Sequence, residues 1–178
     1  IVCKHCAGAE ATDAEYGKVA KSWRGNLGLE KDVHFHWTIP TNVPAAKAID
    51  VREAHFWDLR PASPALWTSL RYDVAKGNLG QVQVAIPDGI HVLGVNALVP
   101  TASDASATPT RLVIRNWNVV GKGPQRRLQV ELAQPVTGVL ILNLEMAPQN
   151  PLRAKQLLAL PAPLQANSVT GLLGYRVD

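Results

Sequence analysis

The chain has 178 residues, enough for one domain or two small ones, with 47% hydrophobic and 18% charged residues. That hydrophobic share excludes a disordered tail, and the charged share lies below the roughly 25% of ordinary domains. Net charge is +4 with a pI of about 9.3, yet Arg126 and Arg127 are the one adjacent basic pair, so no clustered basic patch for nucleic acid is expected.

The first eleven residues are small and polar around Cys3 and Cys6. "TDAE", Thr12 to Glu15, has the spacing of a capping box and predicts a short helix from Asp13 to about Ser22, closed by Gly25. From Val33 the period changes to two. Val33, Phe35, Trp37 and Ile39 alternate with His34, His36 and Thr38, which predicts a half-buried strand ended by Pro40 and Pro44. "KAIDVREAHFWDL", "LWTSLRYDVAKG" and "GQVQVAIPDGIHVLGVNALV" continue the strand signal, the last turning at Pro87-Asp88-Gly89. Residues 101–110, "TASDASATPT", are expected to be a polar loop. "RLVIRNWNVVG", "RRLQVELAQPVTGVLILNLEM" and "LLALPAPL" complete the set, with "GKGPQ" at 121–125 as a hairpin turn.

Strand signals recurring about every ten residues, separated by Pro, Gly and Asn, predict a mainly β chain: an antiparallel β-sandwich with a short N-terminal helix or coil. The division expected is an N-terminal segment over 1–28 and a β-sandwich domain over 29–178. "FHWTIPTNV" and "VQVAIPDGI" echo each other as strand, Ile-Pro, turn and aliphatic, which would suit two similar halves. The sequence contains no run of 18 apolar residues, so no membrane span is expected. The first residues lack the basic and apolar regions of a signal peptide, and the chain starts without Met, which fits a processed chain or part of a longer one.

Three groups carry the chemistry worth weighing. Cys3-Lys4-His5-Cys6 is a single C-x-x-C, which suits a local disulfide between Cys3 and Cys6, two free thiols, or a metal held by Cys3, His5 and Cys6. His34 and His36 share one face of their strand, and His55 would supply a third zinc ligand from a neighbouring strand. The bland alternative for those histidines is the wet face of an ordinary strand. Trp37, Trp57, Trp67 and Trp117 sit among aliphatics and are expected to fill the core, although exposed tryptophans would suit stacking on sugars. Asp50, Glu53 and Asp58 are the densest acidic group. The motifs G-x-S-x-G, G-x-G-x-x-G and the phosphate-binding loop are absent.

The letters "HFHW" and "EAHF" resemble the zinc-binding strands of α-carbonic anhydrases. That resemblance implies zinc on His34, His36 and His55 and hydration of carbon dioxide by zinc-bound hydroxide. The chain has no counterpart of the family's "SPI"-type or "TTPPC"-like stretches. From Leu70 to Asp178 the wording ("LRYDVAKGNLGQVQVAIPDGIHVLGV", "NWNVV", "RRLQVELAQPVTGVLILNLEM", "GLLGYRV") resembles a β-rich module of large bacterial envelope proteins. This second resemblance implies a non-enzymatic, extracytoplasmic structural or binding module, periplasmic or at the cell surface. Its partners would be other protein modules, or copies of itself joined through β-edges. No catalytic residue and no cofactor are expected on this reading, and it is the one preferred. A carbonic-anhydrase-like zinc enzyme and a carbohydrate-binding module are the alternatives.

Overall fold

The computed structural model describes residues 7–11, 22–26, 35–40, 48–100, 108–152 and 158–177, the first three stretches by backbone alone. Two strands, β1 (Ala7–Ala11) and β2 (Ser22–Asn26), pair antiparallel as a small sheet of their own. The end of the predicted N-terminal helix is therefore corrected: Ser22, Trp23 and Gly25 lie in a strand, while residues 12–21 fall outside the described residues. Apart from one 3-10 turn at Gly123–Gln125, inside the predicted "GKGPQ" hairpin, the described residues contain no helix.

The main sheet has nine strands. They are β3 (Phe35–Pro40), β4 (Ala48–Asp58), β5 (Ala65–Ala85), β6 (Ile90–Val99), β7 (Thr110–Leu112), β8 (Ile114–Val120), β9 (Arg127–Pro148), β10 (Ala162–Pro163) and β11 (Ser168–Arg176). The path runs β3-β11-β4-β5-β9-β6-β7, with β10 on the far end of β5 and β8 on the far end of β9. The mainly β expectation holds. One pairing departs from the antiparallel pattern: β11 runs parallel to β4, so the sheet is mixed.

Two strands are far longer than the mean strand of five or six residues. β5 has 21 residues and β9 has 22. Drawn straight, β9 would span about 70 Å at about 3.3 Å per residue. Its ends cannot be that far apart. Arg127, at its start, pairs with Ala85, and Pro148, at its finish, pairs with Ile90. A five-residue link from Ala85 to Ile90 reaches at most about 18 Å. β9 must therefore double back, and β5 with it.

The bend lies where the pairing register slips, between Val74, Leu79 and Gln81 on β5. Gly77 and Gly138 there adopt φ of 87° and 80°, a left-handed conformation open chiefly to glycine. Pro135 sits within β9 at the same bend, against Gly80. The sandwich is thus one sheet folded into two layers. The larger layer holds β3, β11, β4, the first half of β5, the second half of β9, β6 and β7. The smaller holds β10, the second half of β5, the first half of β9 and β8. Leu66, Leu70, Leu140 and Leu142 from one layer and Val82, Val84, Leu128 and Val130 from the other share one buried cluster. The two segments of the "Ile-Pro" echo occupy unlike places, one in peripheral β3 and one in central β5.

The doubled strand is clasped at its open end. Arg126, just before β9, donates from its guanidinium to the carbonyls of Pro87 and Ile90 at 2.6 and 2.7 Å. Gln149, just after β9, donates its amide to Gly89 O at 2.7 Å. At the opposite corner Asp58 is buried and accepts a two-pronged bond from Arg60 at 2.9 and 2.7 Å, and a further one from Arg176 on β11. The Arg60 bonds hold the Asp58 carboxyl well below the usual carboxylate range against the opposing effect of burial, with Arg176 adding to them.

Two outcomes are expected. Leu142→Ala, in the core between Leu70 and Ala97, lowers stability by about 3 kcal/mol in urea unfolding, whereas exposed Leu164→Ala changes it by less than about 0.5 kcal/mol. Because the Asp58 pKa is depressed, its stabilisation is present above about pH 4 and is lost as acid protonates it. Asp58→Asn therefore lowers the melting temperature at neutral pH and flattens the acid limb of a pH–stability curve.

Candidate binding face

On β4 the inward positions are Ile49, Val51, Glu53, His55 and Trp57, and the outward ones are Asp50, Arg52, Ala54 and Phe56. The pairing with β5 is unbroken from Ile49 to Asp58, so the alternation is fixed along the strand. The hydrophobic phase of the sequence, however, changes midway: aliphatic at Ile49 and Val51, then polar at Glu53 and His55 in the same inward row. Phe56 is carried outward as a result. Opposite it on β5, Trp67 is the large aromatic out of step with Leu66, Leu70 and Tyr72, and it too points outward.

Phe56 and Trp67 are cross-strand partners, 37% and 41% exposed, with ring centroids 6.0 Å apart and planes tilted by 30°. One register row away Ala54 faces Ser69, and Ser69 faces Asn143 on β9. Leu172 of β11, half exposed, extends the same row beyond Ala54. Two shallow depressions share Ala54 and Ser69: one reaches the aromatic pair and Asn143, the other reaches Arg52, Arg71 and Leu172. A charged border follows. Asp73 accepts from Arg52 at 2.8 Å and from Arg71 at 3.2 Å. The result is a flat apolar centre with a polar and ionic margin.

Beneath this face lies a buried polar row. His55 Nδ1 is 2.9 Å from Thr68 Oγ1, its register partner, and His55 Nε2 is 3.5 Å from Glu53 Oε2. Tyr72 is fully buried one diagonal step from Glu53. Burial raises its phenol well above the ordinary tyrosine range, and the Glu53 charge adds to the rise. Among the described residues neither the Tyr72 hydroxyl nor Trp57 Nε1 has a hydrogen-bond partner.

The sequence candidates are distributed as follows. Cys3, His5, Cys6 and His34 lie outside the described residues. His36 lies in β3, in the register row of Leu172 and Ala54, and His55 lies in the row of Leu173 and Phe35. β11 runs between β3, which holds His36, and β4, which holds His55. Among the described residues no three His, Cys, Asp or Glu side chains form a group able to hold a metal ion. Asp50 faces outward while Glu53 and Asp58 are buried, Asp58 against two arginines, so these acids form no carboxylate pair. Core filling by tryptophan holds for Trp57 at 1% exposure and fails for Trp67 and for Trp117 at 36%. No described helix is long and apolar enough to cross a membrane.

No known family profile matches the chain, and no curated protein matches it. Among solved structures, a crystal structure of the M1 zinc metallopeptidase from Deinococcus radiodurans matches 58% of this chain and 20% of its own, at 14% identity and a TM-score of 0.32. A substrate-bound mutant of the same enzyme matches 63% of this chain and 23% of its own, at 18% identity and 0.36. The chain thus spans less than a quarter of those peptidases, and a likeness at these scores carries no argument here.

The raised Tyr72 pKa has a measurable consequence. Its stabilisation is present below about pH 10 and is lost as pH rises above that value, because the unfolded chain ionises first. Tyr72→Phe is expected to flatten the alkaline limb of a pH–stability curve without lowering stability at neutral pH. Both effects are checked by chemical denaturation across that range.

Proposed function

We propose that this chain is a non-enzymatic, extracytoplasmic binding module of a larger envelope or surface assembly, and that it docks on a neighbouring protein module through the outer face of its larger layer. One observation carries the reading: the Phe56–Trp67 pair stands exposed at the centre of a flat sheet face. Leaving two adjoining aromatic rings in water is costly, and such patches rimmed by polar groups mark interaction sites. Aromatic and arginine side chains are the ones that dominate protein–protein contacts, and Arg52 and Arg71 border the pair. The extracytoplasmic setting is supported by the envelope-module wording of residues 70–178, and a disulfide between Cys3 and Cys6, one of the three readings of that C-x-x-C, would fit it.

A second reading has its own support. Rings tilted by only 30° make a nearly continuous platform beside Ser69 and Asn143, an arrangement suited to stacking on a sugar.

Photo-crosslinking tests the first reading. A benzophenone amino acid at Ser69 is expected to capture a discrete envelope protein in the native cells, and Trp67→Ala to weaken the capture by about tenfold or more. Quenching of tryptophan fluorescence by a polysaccharide, lost in Trp67→Ala, would replace the protein partner with a glycan. About one zinc per chain, lost in a His34→Ala/His36→Ala double variant together with carbon dioxide hydration, would replace both with a metal enzyme.

A further inference from the structure

The smaller layer ends in a strand whose second edge has no partner. β8 pairs with β9 along Asn116 to Val120, and among the described residues no strand pairs its other side. Unpaired edges are usually protected by proline, lysine, shortness or a bulge. β10 is two residues long and contains Pro163, β3 finishes in Pro40, and β7 has three residues. β8 has a single irregularity, between Ile114 and Asn116, and then runs as Asn116-Trp117-Asn118-Val119-Val120 with neither proline nor lysine.

Ile114, Trp117 and Val119 share the rows of buried Leu132, Val130 and Leu128, so they continue the core side. Trp117 is 36% exposed at that margin, and it lines a concavity with Val95, Leu112, Ile114 and two arginines, Arg111 and Arg115. The surroundings of the edge are basic. Arg115, with its side chain 63% exposed, bonds Glu131 at 2.8 Å, and Arg111 donates to Asn96. Lys122 and Arg127 are exposed at the hairpin end. Among the described residues the nearby carboxylates are Glu131 and Asp88.

We infer that the free edge of β8 accepts an extended acidic peptide as an added strand. Backbone hydrogen bonds would complete the β8 edge. In a strand whose residues alternate apolar and acidic, the apolar side chains would extend the Ile114–Trp117–Val119 row and the carboxylates would face Arg111 and Arg115. The charge selects against a second copy of this chain, because antiparallel pairing of two β8 edges brings Arg111 and Arg115 toward the partner copy's cationic hairpin end. β9 separates β8 from β5, the strand that carries Trp67, and the inference stands whether or not the Phe56–Trp67 platform binds anything.

Fluorescence anisotropy on the full chain tests it, with a labelled extended peptide alternating valine and glutamate as the probe. The probe is expected to bind at least about tenfold more tightly than its valine–lysine counterpart. Arg111→Glu/Arg115→Glu, at exposed positions with folding verified by circular dichroism, is expected to remove that preference, and Trp67→Ala to leave it intact. Methylating alternate peptide amides is the strand-specific readout: one set abolishes binding and the other leaves it. Equal binding of both methylated peptides would overturn strand addition. So would equal affinity for a single-stranded oligonucleotide of the same charge, or dimerisation of the free chain that Trp117→Ala abolishes.

Discussion

The fold depends on one length constraint. Two strands of more than twenty residues must fit into a chain that joins Ala85 to Ile90 in a single turn. They fit because both bend at the same level, where Gly77, Gly138 and Pro135 interrupt regular pairing. The Arg126 and Gln149 bonds then close the open end. The rest of the main sheet is added to this doubled pair: β8 and β10 flank the small layer, and β4, β6, β11, β7 and β3 build out the large one. The shared core follows, since the inward residues of both layers meet in the fold of the same sheet.

Much of this was legible from the residues. Period two, turn residues and spacing predict the strands of the main sheet, and the division read between "LWTSLRYDVAKG" and "GQVQVAIPDGIHVLGVNALV" falls at the bend of β5 near Gly77–Gly80. It is a bend within a strand, not the end of one, because composition marks where regular pairing fails and cannot say whether the chain then stops or turns with its partner. The matching bend of β9 near Pro135–Gly138 lies inside a stretch read as one segment. The parallel docking of β11 on β4 was not legible either. It joins residues such as Asp58 and Arg176, 118 positions apart, and local periodicity carries no signal at that range. Trp23 shows the opposite failure. Capping-box spacing favoured a helix running up to it, ending at about Ser22, and tertiary pairing of Ser22 with Ala11 and of Trp23 with Glu10 made a strand.

The candidate face carried one signal that the core reading passed over. Trp67 was expected inside, yet it breaks the phase of Leu66, Leu70 and Tyr72, and that break marks it as outward. Phe56 was hidden, because its neighbour Trp57 is the one that is buried and both read as core. The burial of His55 also ran against its letters. A histidine between apolar neighbours on a strand has two faces available, and register with Thr68, not composition, put it inside. The buried row beneath the aromatic pair couples them physically: substitutions in Glu53 or His55 act on the strand that holds Phe56 in place.

The pairing of β4 with β11 also bears on how the protein is made. β4 has emerged long before its parallel partner is synthesised, and more than a hundred residues pass before the Asp58 corner can close. During that interval one edge of β4 lacks its native partner, with Phe56 beside it. Large sequence separation slows folding, and open apolar edges invite association with other chains. Completion of the larger layer is therefore a late, post-emergence event, and the growing chain is most in need of protection between the appearance of β4 and that of β11.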